Sequence, residues 1–228
     1  KVCGLQQANP RLRNRDFADY YENHYRHLLG KERKASKESF YKQTRQGYFC
    51  ENYELIKKYL NLRKQSRVLD IGCGSGSMVY KFSEEGICAI GIEHDSLEIK
   101  FGKSIGLDLR KCSIEQLEQE EDFDLVIMSH SLEHCDNVGQ TLDIIYKILA
   151  LGGHFFVATP NREDIITLPH KDIMRSLTLP HVFGFTLQSL TNLLGKHSFK
   201  LIASERGKRG VHMNALFKKN SKSIGYIS

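Results

Sequence analysis

Short apolar runs and helical stripes alternate along the middle of the chain. From Arg67 onward, VLDI, ICAIGIE, FDLVIM and GGHFFVAT are compact apolar runs bounded by glycine or charge, and they predict buried strands. Between them, GSMVYKFSEE, SLEIKFGKS and NVGQTLDIIYKIL carry apolar residues three and four apart, the spacing of a helix with one buried face. Strand–helix alternation predicts an α/β domain, a doubly wound, mostly parallel sheet with right-handed crossovers. The end of the chain changes pattern. FTLQSLTNLLGKH predicts a helix, and FKLIASER and VHMNALFKK predict two strands joined by the turn GKRG. A strand pair joined so tightly must be antiparallel.

The first sixty residues read as helix. DFADYYENHYRHLL places Phe17, Tyr20, Tyr21, Tyr25 and Leu28 on one stripe, and YFCENYELIKKYL places Phe49, Tyr53, Ile56 and Leu60 on another. Stripes of this kind pack a core, and such helices can also lid a pocket. The change of pattern divides the chain into an N-terminal helical and basic segment, 1–47, and a domain, 48–228.

Composition narrows the class. With 40% hydrophobic and 26% charged residues in a chain of 228, a single folded domain is expected rather than a disordered segment. No apolar run is long enough for a membrane-spanning helix. Six cysteines are scattered without a C-x-x-C pair, which suits reduced thiols and a cytoplasmic location. Cys3 reads either as a lone thiol or as the last ligand of a zinc knuckle lying upstream. The net charge of +6 is unevenly spread: residues 1–65 hold 15 Lys+Arg against 7 Asp+Glu, the remainder 18 against 20. Lys31, Arg33, Lys34 and Lys37 cluster there, either as a solvated helix face or as a patch for phosphates, nucleic acid or an anionic sugar nucleotide.

The stretch LDIGCGSG follows the first of the apolar runs. In an open parallel sheet, ligands bind beyond the carboxyl ends of the strands. Glycines there permit positive φ and a close backbone approach. Glu93 ends the next strand, 93 − 72 = 21 residues after the first glycine, where a carboxylate can accept the hydroxyls of a ribose. A nucleoside-bearing cofactor is therefore expected. The glycine spacing is G-x-G-x-G, one residue shorter than the dinucleotide fingerprint, which disfavours a nicotinamide-dependent dehydrogenase.

With Asp70 before the turn, VLDIGCGSG resembles motif I of the class I S-adenosylmethionine-dependent methyltransferases. The resemblance implies a seven-stranded sheet with its last strand antiparallel, and S-adenosyl-L-methionine as cofactor. It puts Asp70, Gly72, Cys73, Gly74 and Gly76 at the methionine end and Glu93 with His94 at the ribose. Ser113 and Ile114 of CSIEQL would flank adenine, although many relatives carry an acid there and the first here is Glu115. FDLVIMSHSLEHCDN matches the fourth strand and puts Ser129 beside the sulfonium. LALGGHFFVATPN matches the fifth strand, and HVFGFTLQSLTNLLGKHSFKLI a segment common in small-molecule methyltransferases. The middle of the chain is similar to ubiquinone-pathway O-methyltransferases, and its opening residues to bacterial methyltransferases of sugar and polysaccharide pathways.

The implied reaction is methyl transfer to a small-molecule or sugar acceptor, at oxygen before carbon or nitrogen. The alternatives are a nucleic-acid or protein methyltransferase, and a protein that keeps the nucleoside pocket without catalysis. The chain has SHSL where N-P-P-Y or D-P-P-Y would hold a planar amino nitrogen. A hydroxyl acceptor needs a base, and histidine titrates in the useful range. His181, after Pro180, is the first candidate, and His130, at the end of the fourth strand, the second. His130, Glu133 and His134 stand at i, i+3 and i+4, a metal-binding spacing. The ubiquinone-pathway enzymes hold magnesium there with E-x-x-E-H. With His130 replacing the first acid, the Glu–His pair reads as structural and no metal is expected. His170, Lys171 and Arg175 lie in an insertion of the kind that shapes an acceptor pocket or faces solvent.

Overall fold

The computed structural model describes residues 5–8, 36–117, 122–165, 181–207 and 211–220. The helix expected around Phe17–Leu28, most of the basic cluster and the insertion with His170, Lys171 and Arg175 fall outside them. The described strands include a seven-stranded mixed sheet and a separate two-stranded ribbon. By contact density the chain forms two compact units, residues 10–117 and residues 1–9 with 118–228.

In the unit of residues 10–117, helices α1 (Lys37–Arg45) and α2 (Tyr48–Tyr59) precede β2 (Arg67–Ile71), α3 (Ser77–Glu84), β3 (Cys88–Glu93), α4 (Ser96–Ser104) and β4 (Leu109–Lys111). The strand order is β4-β3-β2, all parallel. Each helix has a local cause. The α4 start is capped by Asp95, whose carboxylate accepts from the N–H of Leu97 at 2.8 Å and of Glu98 at 3.3 Å. Ser36 caps α1 through the N–H of Ser39. On α2, Tyr53 and Ile56 are buried as their stripe predicts, and Leu60, just past its end, closes the row. Tyr53 and Lys57 both donate to Glu85 just beyond α3, which ties the two helices together.

In the other unit, β5 (Phe123–Ser129) leads through a short 3-10 turn, Leu132–His134, to α5 (Val138–Ile148) and β6 (Leu149–Pro160). One helical turn, α6 (Arg162–Ile165), precedes β7 (Phe183–Gly184), α7 (Leu187–Lys196), β8 (Phe199–Arg206) and β9 (His212–Lys219). The order is β5-β6-β9-β8; β5 and β6 are parallel, and β9 runs antiparallel to both its neighbours. The closing strand is thus antiparallel, as the short turn requires. Phe155, Phe156, Val157, Leu216 and Phe217 on the central pair are fully buried. Reciprocal hydrogen bonds between Thr186 and Ser189 cap α7.

One expectation is corrected. The first sixty residues are not all helix: β1 (Gln6–Gln7) is a strand paired antiparallel with Phe183–Gly184. Two exposed glutamines have no strand pattern of their own, so the pairing comes from the partner. Among the described residues no helix is long and apolar enough to cross a membrane.

Candidate functional site

The glycine turn follows β2, in the unit of residues 10–117. Gly72, Gly74 and Gly76 have φ of 72°, 54° and 88°, a region that favours glycine. Their reasons differ. A β-carbon on Gly74 would meet nothing within 4 Å, so open space faces the backbone there. One on Gly76 would stand 2.8 Å from Leu107 Cδ1 and 3.1 Å from Leu109 Cδ2. Gly76 therefore has a packing reason of its own to be glycine, because the core is tight behind it. Cys73 also turns inward: it is buried, a β-carbon on Gly91 would lie 2.5 Å from its Sγ, and burial pushes its thiol well up.

Two carboxylates attend the turn. Asp70 is 2% exposed, and its Oδ1 is buried without a hydrogen-bond partner among the described residues. Burial, and next the charge of Glu93, raise its pKa to about 7. Glu93 accepts from Gly74 N–H at 2.9 Å through one oxygen, and through the other from His94 N–H at 2.7 Å and Asp95 N–H at 3.2 Å. Among the described residues, three backbone N–H groups thus fix the carboxylate at the end of β3. His94 is exposed and holds Glu93 through its main chain. After β4, Ser113 N–H donates to Gln116 Oε1 at 2.9 Å and Ile114 is buried. The constellation fits a ligand bringing a cation to Asp70 and hydroxyls to Glu93, with its chain against Gly74.

The remaining candidates belong to the other unit. Ser129 is buried at the end of β5. His130 follows in the left-handed region at φ 56°, its N–H donating to Ala158 O at 2.7 Å. A non-glycine residue held there is strained, and such strain collects at functional positions. Glu133 is 1% exposed, and its Oε1 lies 3.5 Å from His130 Nδ1 and 3.9 Å from His134 Nε2. Burial alone would raise its pKa, but the two imidazoles overcome that and hold it at about 2. His181 packs edge-on against His134 with ring centroids 4.8 Å apart, and His212 against His130 at 4.6 Å.

His130, His134 and His181 thus stand near one buried carboxylate, with His212 against His130, where the spacing suggested His130, Glu133 and His134 on one helical face. The three donor groups that approach within 4.8 Å of one another are Glu133, His134 and His181; His130 is not among them. The 3-10 turn and the left-handed His130 replace the helical face that the i, i+3, i+4 spacing suggested. His212 carries no sequence signal of its own. Only the pairing of β6 with β9, which sets it opposite Pro160, brings it to this end of the strands.

A family model described as a methyltransferase domain matches residues 41–204. The chain belongs to that family, the class I S-adenosylmethionine-dependent methyltransferases. Among its relatives are ubiquinone biosynthesis O-methyltransferases. The one from Bradyrhizobium sp. (strain ORS 278) is 32% identical over 120 residues, 50% of this chain and 47% of that protein. The one from Rhodopseudomonas palustris (strain BisB18) is 33% identical over the same shares. The chain thus spans about half the length of the curated relatives it matches. Its fold is shared with magnesium protoporphyrin IX methyltransferase from Synechocystis PCC 6803, at TM-score 0.67, 13% identity and coverage of 89% and 98% of the two chains. It is also shared with 1,6-didemethyltoxoflavin-N1-methyltransferase from Burkholderia thailandensis, at TM-score 0.65, 18% identity and 95% coverage of each.

Proposed function

We propose that the chain catalyses S-adenosylmethionine-dependent methyl transfer to a hydroxyl oxygen of a small-molecule or sugar acceptor, releasing S-adenosylhomocysteine, in the cytoplasm. The observation that carries the cofactor is Asp70, a buried carboxyl with an unsatisfied oxygen just before a glycine turn that is open at Gly74. Oxygen as the accepting atom draws on the likeness to ubiquinone biosynthesis O-methyltransferases.

When bound, the cofactor supplies an electrophilic methyl group on a positively charged sulfur. Asp70 would hold the ammonium of its methionine end, whose charge favours the ionised carboxylate. Glu93 would take the ribose hydroxyls with the lone pairs its backbone donors leave free. Ser113 and Ile114 would flank the adenine, and Ser129 would stand at the sulfonium. Either His181 or His130 takes the hydroxyl proton of the acceptor, and the buried carboxylate of Glu133 orients the imidazole beside it. His130 Nδ1 lies 3.5 Å from Glu133 Oε1, and a ring nitrogen of His181 lies within 4.8 Å of a Glu133 oxygen.

Calorimetric titration with S-adenosylmethionine, S-adenosylhomocysteine and NADH, with and without EDTA, tests this reading. Binding of the two sulfur nucleosides alone, insensitive to EDTA and lost in Gly74→Val, is the expected outcome. Binding of NADH, or of none of the three, would overturn it. Separate His181→Gln and His130→Gln variants then identify the base: the one that lowers kcat while sparing cofactor affinity holds the proton.

A further inference from the structure

We propose that Arg162 recognises an oxyanion, a carboxylate or a phosphate, on the methyl acceptor, and that Gly184 is glycine so that Arg162 can do so. The inference rests on the methyltransferase reading and adds a substrate class to it.

Arg162 stands two residues past the end of β6, at the carboxyl end of the parallel pair β5 and β6. Ligands of such sheets bind beyond that end. Its main chain is fixed: Arg162 N–H donates to Phe185 O at 2.9 Å, and Asn161 forms a bridge with Phe185. Its side chain is seated on Gly184. A β-carbon there would lie 2.1 Å from Arg162 Nε, 2.9 Å from Cγ and 3.0 Å from Cδ. Gly184 is not among the residues with positive φ, so its backbone conformation alone does not demand glycine. The absent side chain is the space in which the arginine stem lies.

The guanidinium has no partner among the described residues. Asp164, two positions on, accepts from Asn161 Nδ2 at 2.7 Å and pairs with Arg206 at 3.0 Å; Glu163 is exposed. Burial lowers the Arg162 pKa, and no acid among the described residues counters it. A half-buried cation held rigidly with no counter-charge is costly unless a ligand supplies one. Arginine presents a planar fork that matches the two oxygens of a carboxylate or phosphate, and a fixed stem preserves that match.

The test uses the whole chain labelled with [15N]arginine and saturated with S-adenosylhomocysteine. The Arg162 Nε–Hε resonance is the one missing from Arg162→Lys. Benzoate, phenyl phosphate and neutral benzamide are titrated in turn. A saturable shift with either anion and none with benzamide is expected, and the anion that produces it distinguishes carboxylate from phosphate. Gly184→Ala keeps the guanidinium but removes its seat, and weakens that anion by about tenfold or more. Circular dichroism melts of both variants confirm that they fold, and Arg162→Leu repeats the loss without a charge. The same response with benzamide, no response with either anion, or an unchanged affinity in folded Gly184→Ala each overturns the proposal. Calorimetry with S-adenosylhomocysteine on the same samples separates the two ideas. Failure to bind it defeats the methyltransferase reading; binding it with a silent Arg162 defeats only this one.

Discussion

Asp70 and Glu133 are both carboxyl groups with almost no exposed surface, 2% and 1%, yet the protein shifts them in opposite directions. Asp70 rises to about 7 because burial and Glu93 act on it with nothing to offset them. Glu133 is held at about 2 because two imidazoles outweigh the same burial. Desolvation is thus the common background, and the sign is decided by whether the counter-charge belongs to the chain. Around Glu133 two imidazoles stand at 3.5 and 3.9 Å and supply counter-charge when they are protonated. Around Asp70 no described side chain supplies a cation, and the ammonium of the proposed cofactor would fill that role.

The widest test of that contrast is Glu133→Gln, which leaves the imidazoles without their anion; removing one partner of a buried pair costs about 3–5 kcal/mol. Denaturant unfolding should show a loss of that size at neutral pH, and a loss near zero would mean the cluster is held by packing alone. Next comes the pH dependence of Asp70. Its folded pKa lies above the unfolded value of 3.8, so the folded state keeps a proton that the unfolded chain gives up. The cofactor-free protein should therefore lose up to about 4 kcal/mol as pH rises from about 4 to about 7. Asp70→Asn cannot ionise, and should melt higher than the parent at pH 8 but not at pH 4, while binding S-adenosylhomocysteine more than tenfold less tightly. Glu133 runs the other way: its contribution is present above 4.5 and is lost as pH falls toward about 2.

Smaller effects sharpen the picture of the turn. Glu93→Ala should weaken cofactor binding by about 1–3 kcal/mol through lost charge-assisted hydrogen bonds, read by calorimetry. Gly76→Ala should cost about 1 kcal/mol or more in a thermal melt, from positive φ and the nearby Leu107, with cofactor affinity nearly intact. A large loss of affinity there would restore Gly76 to the ligand side of the turn.

Much of this fold is legible in the residues. The helix Ser96–Ser104 and the strand Phe199–Arg206 fall where their patterns place them, because a capping Asp95 and a clean alternation act locally. The glycine turn and Glu93 are legible for the same reason: they are set by a strand, a turn and a strand in sequence. Properties created by distant neighbours are not. Nothing near Gly76 announces Leu107, nothing near Arg162 announces Gly184, and β1 has no pattern before it meets β7. Glu133 reads as part of a structural Glu–His pair, and nothing near it in the chain announces His181.

The ribbon of β1 and β7 joins Gln6 to Gly184, residues 184 − 6 = 178 apart in the chain. So short a pairing across so long a loop gains little to set against the entropy of closing it. During synthesis it cannot form until Gly184 has emerged. In the finished protein it should be among the first segments to open, with fast amide exchange at Gln7 and Ala8. Since Gly184 lies both in that ribbon and beneath Arg162, the seat proposed for the acceptor shares a segment with the part expected to loosen first.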